Sequence, residues 1–194
     1  MPAGRSASEL SLKPEERSLL LELARNAIAA RLGLEAHKKL GQLPPALCER
    51  KACFVSLHCS GELRGCIGTL EAREELWRAV RGCAVAAAFG DPRFPPLGEH
   101  ELGQLKIEIS VLSRLRELSA RSSEEIIASL RPGVDGVVLR VGPRSATFLP
   151  QVWSQFPDKE SFLARLALKA GLTEDGWRSP DARIAVYQVE HFSE

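Results

Sequence analysis

The sequence predicts an α+β fold in which antiparallel strand pairs are flanked by helices. Three observations carry this. Strand-like and helix-like segments do not alternate regularly along the chain, which argues against a doubly wound parallel sheet. Two pairs of short strand segments are each joined by a glycine-containing turn, as hairpins are. Leu105 to Leu112 alternates strictly, with Leu105, Ile107, Ile109 and Val111 on one side and Lys106, Glu108 and Ser110 on the other. That pattern fits a strand covered on one face.

At 194 residues the chain suits one ordinary domain or two small lobes sharing a core. Residues 1–12 are small, polar and without period, so they read as a flexible tail, leaving 13–194 as the folded part. From Pro14 the pattern is helical: Leu19, Leu20, Leu23, Ala27 and Ile28 recur at three- and four-residue steps, and Gly33 lies just past the expected end. Leu34 to Arg50, with Pro44 and Pro45, reads as an extended connector. Ala52 to His58 and Leu63 to Leu70 form the first hairpin around Cys59-Ser60-Gly61-Glu62. Glu74 to Phe89 is a second helix, stopped by Gly90. The three prolines of "DPRFPPL" (Asp91 to Leu97) cannot sustain a helix, so a stiff irregular loop follows. Ser123 to Leu130 is a short helix with Glu124 and Glu125 in its first turn, where acids favour the helix dipole. Gly136 to Val141 and Ala146 to Leu149 make the second hairpin. Asp158 caps a helix over Lys159 to Ala170, with Gly171 just beyond it. Ile184 to Phe192 is expected to close the chain as one strand.

Lys plus Arg number 26 and Asp plus Glu 25, a net charge of +1, which argues against a general binder of nucleic acid or anionic membranes and leaves room for a local basic patch. The longest mainly apolar run, Cys83 to Phe89, is too short to span a bilayer, and the N-terminus lacks the apolar core of a secretory signal. The expectation is a soluble, cytoplasmic protein. Five cysteines at uneven spacing include no C-x-x-C and no paired cysteine–histidine spacing. Cys48, Cys53, Cys59 and Cys83 therefore read as reduced, small, buried apolar residues.

"LRGCIG" (Leu63 to Gly68) is the stretch that draws attention. Side chains two apart in a strand share a face, so Arg64 and Cys66 are expected to project together, with Leu63, Gly65 and Ile67 opposite. A guanidinium beside a thiol favours the thiolate, which makes Cys66 a candidate nucleophile and Arg64 its activator. Gly65 and Gly68 lack side-chain bulk and would let a backbone or a ligand approach closely. The competing reading is a glycine-bent strand whose arginine pairs with a structural carboxylate. Asp91-Pro92-Arg93-Phe94 gives a stiff loop displaying paired charges near the hairpin, either for a ligand or to tie the loop down. Gln151, beside Pro150, could orient a ligand or satisfy backbone groups. Gly65, Gly68, Asp91, Arg93 and Gln151 are thus the candidate substrate-binding residues. His58 and His100 are not at a spacing that predicts a cysteine–histidine dyad. No G-x-G-x-x-G, P-loop, H-E-x-x-H or G-x-S-x-G occurs, so no cofactor and no metal are expected.

"ELRGCIGTL" (Glu62 to Leu70), "AAAFGDPRFPPL" (Ala86 to Leu97), "LPQV" (Leu149 to Val152) and "LKAGL" (Leu168 to Leu172), with Trp177 soon after, make a specific ordered set. On these motifs, from about Pro14 to the C-terminus, the chain resembles the AMMECR domain family, whose bacterial and archaeal members are called AmmeMemoRadiSam system protein A. The resemblance implies a two-lobed α+β fold, with a larger and a smaller lobe and the hairpin motif as the functional site. It also implies an association with a Memo-like protein and a radical S-adenosylmethionine protein. Leu63 to Gly68, Asp91, Arg93, Phe94, Pro150 and Gln151 carry over with the motifs. Family members often have cysteine where this chain has Ala167, which argues against a mechanism needing a thiol from each region.

Two classes of function follow. One is an enzyme or enzyme subunit using Cys66 activated by Arg64. The other is an adaptor in which the same surface recognises a partner, and near-neutral charge favours a protein over RNA.

Overall fold

The structure is a computed structural model that describes residues 11–34, 41–120 and 122–194. It is α+β, as expected: two four-stranded sheets, one in each of two compact units. One unit takes the described residues up to Ser113 together with Glu190–Glu194, and the other is Arg114–Val189. No helix among the described residues is long and apolar enough to cross a membrane.

In the first unit, α1 (Pro14–Arg31) starts with proline at its first position, where a missing N–H costs nothing. Glu16 accepts a hydrogen bond from the Lys13 N–H at 2.8 Å and so closes the entry. Gly33, at φ +81°, takes the left-handed turn that ends the helix. A short helix, α2 (Pro45–Cys48), follows and leads to strand β1 (Cys53–Cys59). The hairpin partner is β2 (Glu62–Gly68), then α3 (Leu76–Phe89), then β3 (Leu105–Leu112). β1 lies between β2 and β3, antiparallel to both. Its inward residues Cys53, Val55 and Leu57 are fully buried with Ile107, Ile109 and Val111 of β3. Leu20, Ala24 and Ile28 of α1 and Leu76, Val80, Ala84 and Ala87 of α3 complete this core. Burying each large aliphatic side chain there contributes roughly 1.5–3 kcal/mol.

The second unit holds β4 (Arg116–Glu117), α4 (Ser123–Ser129), β5 (Gly136–Val141), β6 (Arg144–Phe148), α5 (Lys159–Lys169) and β7 (Arg183–Tyr187), with sheet order β4-β7-β5-β6. Its core centres on aromatic rings: Trp153 stacks on Phe162 at 3.6 Å with an interplanar angle of 5°, and Trp177 is buried beside them. Asp158 caps α5 by accepting from the Ser161 N–H, and Gly171 turns away at φ +74°.

Four expectations need correction. Most of the expected tail lies outside the described residues, but Leu12 is only 3% exposed, packs into the first core and donates its N–H to Glu190. Leu10 and Leu12, two leucines in an otherwise small and polar run, are too few to set a period, so the pattern could not place Leu12. The connector Leu34 to Arg50 contains α2, with residues 35–40 outside the described set. Ile184 to Phe192 is not one strand. It breaks at Gln188 into β7 and β8 (Val189–Ser193), which belong to different sheets, β8 lying beside β3. A continuous strand-forming composition carries no information on which neighbour each half pairs with. Finally, Cys53 is buried as expected and Cys59 and Cys83 partly so, whereas Cys48 is exposed at the end of α2.

Candidate functional site

β2 is the edge strand of the first sheet. Its ladder with β1 runs from Phe54↔Gly68 to Leu57↔Gly65 and then slips, with His58 opposite Leu63. Arg64 is therefore the extra residue of a β-bulge, which interrupts the alternation of faces and re-aims a side chain. The expected grouping of Leu63 with Gly65 and Ile67 fails for this reason: Leu63 pairs with His58, one step off the register that sets Gly65 opposite Leu57.

Re-aimed in this way, Arg64 is not the partner of Cys66. Its Nε and Nη2 form a bidentate pair with Glu101 at 2.7 and 3.0 Å, and its guanidinium also donates to the carbonyls of Pro95 and Pro96 at 2.9 and 3.3 Å. The Arg64 hydrogen bond, followed by that of the Gly98 N–H, holds the Glu101 carboxyl below its ordinary range, and the same pairing raises Arg64. The bulge thus hands the arginine expected as activator to a carboxylate on the 3-10 turn Glu99–Gln104, and none of its hydrogen bonds goes to Cys66. The structural reading of this arginine describes what it does.

The cation beside Cys66 is Arg93. After α3 ends at Gly90, the loop folds back along the outer edge of β2. Asp91, 4% exposed, accepts the Cys66 N–H at 2.9 Å on Oδ2. The Arg93 side chain forks onto the same carboxylate at 2.9 and 2.7 Å, and its Nη2 reaches the Cys66 carbonyl at 3.4 Å. One aspartate and one arginine thereby take up the N–H and C=O that an edge strand leaves unpaired. The Asp91 carboxyl is held far below the usual carboxylate range by the Arg93 hydrogen bond first, against the cost of desolvation, with the Cys66 and Arg93 N–H groups adding to it. The expected proximity of this loop to the hairpin is present in these bonds.

With its N–H and C=O turned outward, Cys66 forms a non-hydrogen-bonded pair with Ser56, the arrangement in which facing side chains come closest. The Ser56 hydroxyl donates to the Cys66 sulfur at 3.2 Å. Among the described residues neither His58 nor His100 bonds to that sulfur. The same register sets Glu108 opposite Ser56 on β3, and His191 of β8 lies 3.6 Å from the Glu108 carboxylate. Ser56, Glu108 and His191 escaped the sequence reading because only the pairing of strands distant in sequence brings them into line with Cys66. Cys66 itself is half-buried.

The glycines of the motif serve packing. A Cβ on Gly65 would lie 2.1 Å from the Ala87 carbonyl of α3, and one on Gly68 would meet the Phe54 ring at 2.3 Å. The close approach expected there is made by helix and strand, and Gly65 is buried beneath it. Gln151 is exposed in the 3-10 turn Pro150–Ser154 of the second unit, and Ala167 sits in that unit's core.

A family model described as AMMECR1 matches residues 21–192. The chain belongs to the AMMECR1 family. An AMMECR1 relative from Methanopyrus kandleri is 40% identical over 190 residues, covering 93% of this chain and 89% of the relative. One from Methanocaldococcus jannaschii is 34% identical over 154 residues, covering 78% and 77%. A crystal structure of a Pyrococcus horikoshii protein superposes with a TM-score of 0.86 at 33% identity, over 96% of this chain and 94% of that one.

Proposed function

We propose that the β2 edge and the Asp91–Phe94 loop form a preformed recognition site for a protein partner, the Memo-like or radical S-adenosylmethionine protein that the family motifs imply. The observation that carries this reading is that Arg64, Asp91 and Arg93 are all engaged within the chain, which fixes the backbone of the motif. A surface held rigid before binding loses little conformational freedom when a partner docks. Leu63, 39% exposed, and Phe94, with the Arg93 guanidinium 5.4 Å from its ring centre, supply apolar and aromatic contact area beside the exposed Pro95 and Pro96. Aromatic and arginine side chains of this kind dominate binding at protein interfaces.

The test is calorimetric titration of the purified chain with each of the two partner proteins. The wild type is expected to bind at least one. Leu63→Glu and Phe94→Ala should each weaken that binding by about tenfold or more, equivalent to roughly 1.4 kcal/mol. Unchanged affinity in both variants, or no binding by the wild type, would overturn the reading.

One observation favours a second reading, in which Cys66 is a nucleophile. Its sulfur receives the Ser56 hydroxyl, and the Arg93 guanidinium reaches the carbonyl of the same residue. On that reading Cys66 is alkylated faster than the other accessible thiols at neutral pH, and Arg93→Ala slows it. A Cys66 slower than Cys48 and indifferent to Arg93→Ala would exclude it.

A further inference from the structure

The first unit also holds a cavity of about 380 Å³, lined by Cys48, Arg50, Arg73, Glu74, Glu75 and Arg78. None of these residues belongs to the recognition site, and the volume suits a small molecule, whose sites run from roughly 300 to 1,000 Å³. Backbone pairing builds the cavity. Arg50 and Glu75 form an antiparallel bridge, and the Leu76 N–H donates to the Glu49 carbonyl at 2.8 Å. These bonds bring the end of α2 to the start of α3. On the approach to α3, the Thr69 hydroxyl accepts the Glu71 N–H at 3.0 Å and the Arg73 N–H donates to the Glu71 carbonyl at 2.9 Å, which folds the loop that carries Arg73.

The charges in this cavity fall into two groups. Arg73 gives its Nε and Nη2 to Glu71. Arg78 holds its Nε 2.9 Å from Glu75, which also accepts the Trp77 indole N–H at 3.1 Å. Beside the cavity, Glu49 lies 3.2 Å from Lys51. Those acids and bases neutralise each other. Arg50 and Glu74 stand outside this pairing. Both are exposed, and neither side chain makes a hydrogen bond or ion pair with a described residue, including each other. One cavity thus presents a guanidinium and a carboxylate of opposite charge that do not pair.

We propose that this cavity binds a zwitterionic small molecule of the α-amino acid class. Arg50 takes the ligand carboxylate, because a guanidinium presents parallel N–H donors that match the two oxygens of a carboxylate. Arg78 supports it: with Nε turned to Glu75, both of its Nη groups remain available, out of the five donors a guanidinium carries. Glu74 takes the ligand ammonium. A ligand carrying a single charge would leave one of the two side chains facing it unmatched or repelled, so the pair selects for a molecule with both. The remaining lining offers no aliphatic or aromatic wall, which favours a polar side chain on the ligand. Because the charges are exposed and screened by salt, binding is weak, in the millimolar range. The inference does not depend on what the β2 edge recognises.

The experiment titrates the full chain with L-glutamine at low salt and follows the backbone amides by NMR. Shifts are expected at Cys48–Arg50 and Arg73–Arg78, and saturation should slow alkylation of Cys48, which lines the same cavity. L-Glutaminamide lacks the carboxylate and N-acetyl-L-glutamine lacks the ammonium. Each should bind about tenfold more weakly than L-glutamine, as loss of one charged contact predicts. Arg50→Ala and Glu74→Gln alter exposed side chains, and unchanged amide spectra elsewhere will verify their folds. Both should weaken L-glutamine by about the same factor, and in Glu74→Gln the N-acetyl compound should bind as well as L-glutamine. Absence of shifts at these amides with millimolar L-glutamine would overturn the proposal. So would tighter binding in Glu74→Gln, the mark of a plain anion site, or tighter binding in Arg50→Ala, the mark of a plain cation site.

Discussion

Asp91 with Arg93 and Asp135 with Arg131 are chemically the same device in two places. In each, an aspartate side chain almost removed from water, 2% and 1% exposed, faces an arginine more than half exposed, at 56% and 54%. They differ in where the carboxylate's remaining capacity goes. Asp135 accepts the Arg131 N–H and both arms of its guanidinium, so its side chain closes a single turn between α4 and β5. Asp91 satisfies Arg93 in the same manner and still takes the N–H of Cys66, far along the chain. The lesson is about the strand, not the ion pair. A local clamp becomes a long-range one where an edge strand offers it an unpaired N–H.

Removing each clamp sharpens the contrast most strongly. Asp91→Ala and Asp135→Ala should each cost about 1–3 kcal/mol, because each leaves a backbone N–H that the buried carboxylate had satisfied without its partner, while the half-exposed arginine turns to solvent. Denaturant unfolding measures the loss. Only Asp91→Ala should also speed alkylation of Cys66, since only Asp91 holds that strand. Equal effects of the two variants on Cys66 would erase the distinction drawn here.

Arg64→Ala comes next, at about 1–2 kcal/mol, because Glu101 would lose a bidentate partner at a side chain that is 13% exposed. Arg64→Lys should recover little of this loss: an ammonium cannot form the fork and reach two proline carbonyls together. Full rescue by lysine would mean that charge alone, without geometry, fixes the bulge.

Acid sensitivity is the smallest expected effect. The Asp91 carboxyl is depressed in the folded state, chiefly by Arg93. Its contribution to stability is therefore complete above the unfolded carboxyl value of about 3.9 and is lost as the pH falls toward the folded value. Stability measured from pH 5 downward should decline less steeply in Asp91→Asn than in the wild type. A slope in Asp91→Asn as steep as the wild type's would assign the acid sensitivity to other carboxylates, Glu101 among them.

These contrasts also show what the sequence could and could not reveal. The hairpin of β1 and β2, the alternation of β3 and the capped helix α5 were legible because each rests on spacing within a few residues. The stiff loop at Asp91 was legible from its prolines, and its nearness to the hairpin was expected. The bulge at Arg64 was not, since a bulge exists only relative to a partner strand and leaves the one-strand pattern intact. Arg64 could be matched to a carboxylate in principle, but Glu101 lies on a 3-10 turn that no periodicity marks. The break at Gln188 was hidden for a similar reason: both halves have strand composition, and only pairing separates them. Ser56, Glu108 and His191 line up with Cys66 through register alone.

The central claim is that Asp91 and Arg93 hold the outer edge of β2 and so fix the backbone around Cys66. Amide hydrogen exchange at Cys66, followed by NMR in the wild type and in Asp91→Ala, tests it most directly. The account predicts a strongly protected Cys66 N–H in the wild type and exchange at least about a hundredfold faster in the variant, the loss expected when a hydrogen bond to a charged acceptor is removed from an edge strand. Amides of β1 facing β3 should keep their protection. Equal protection of the Cys66 N–H in both proteins would contradict the claim.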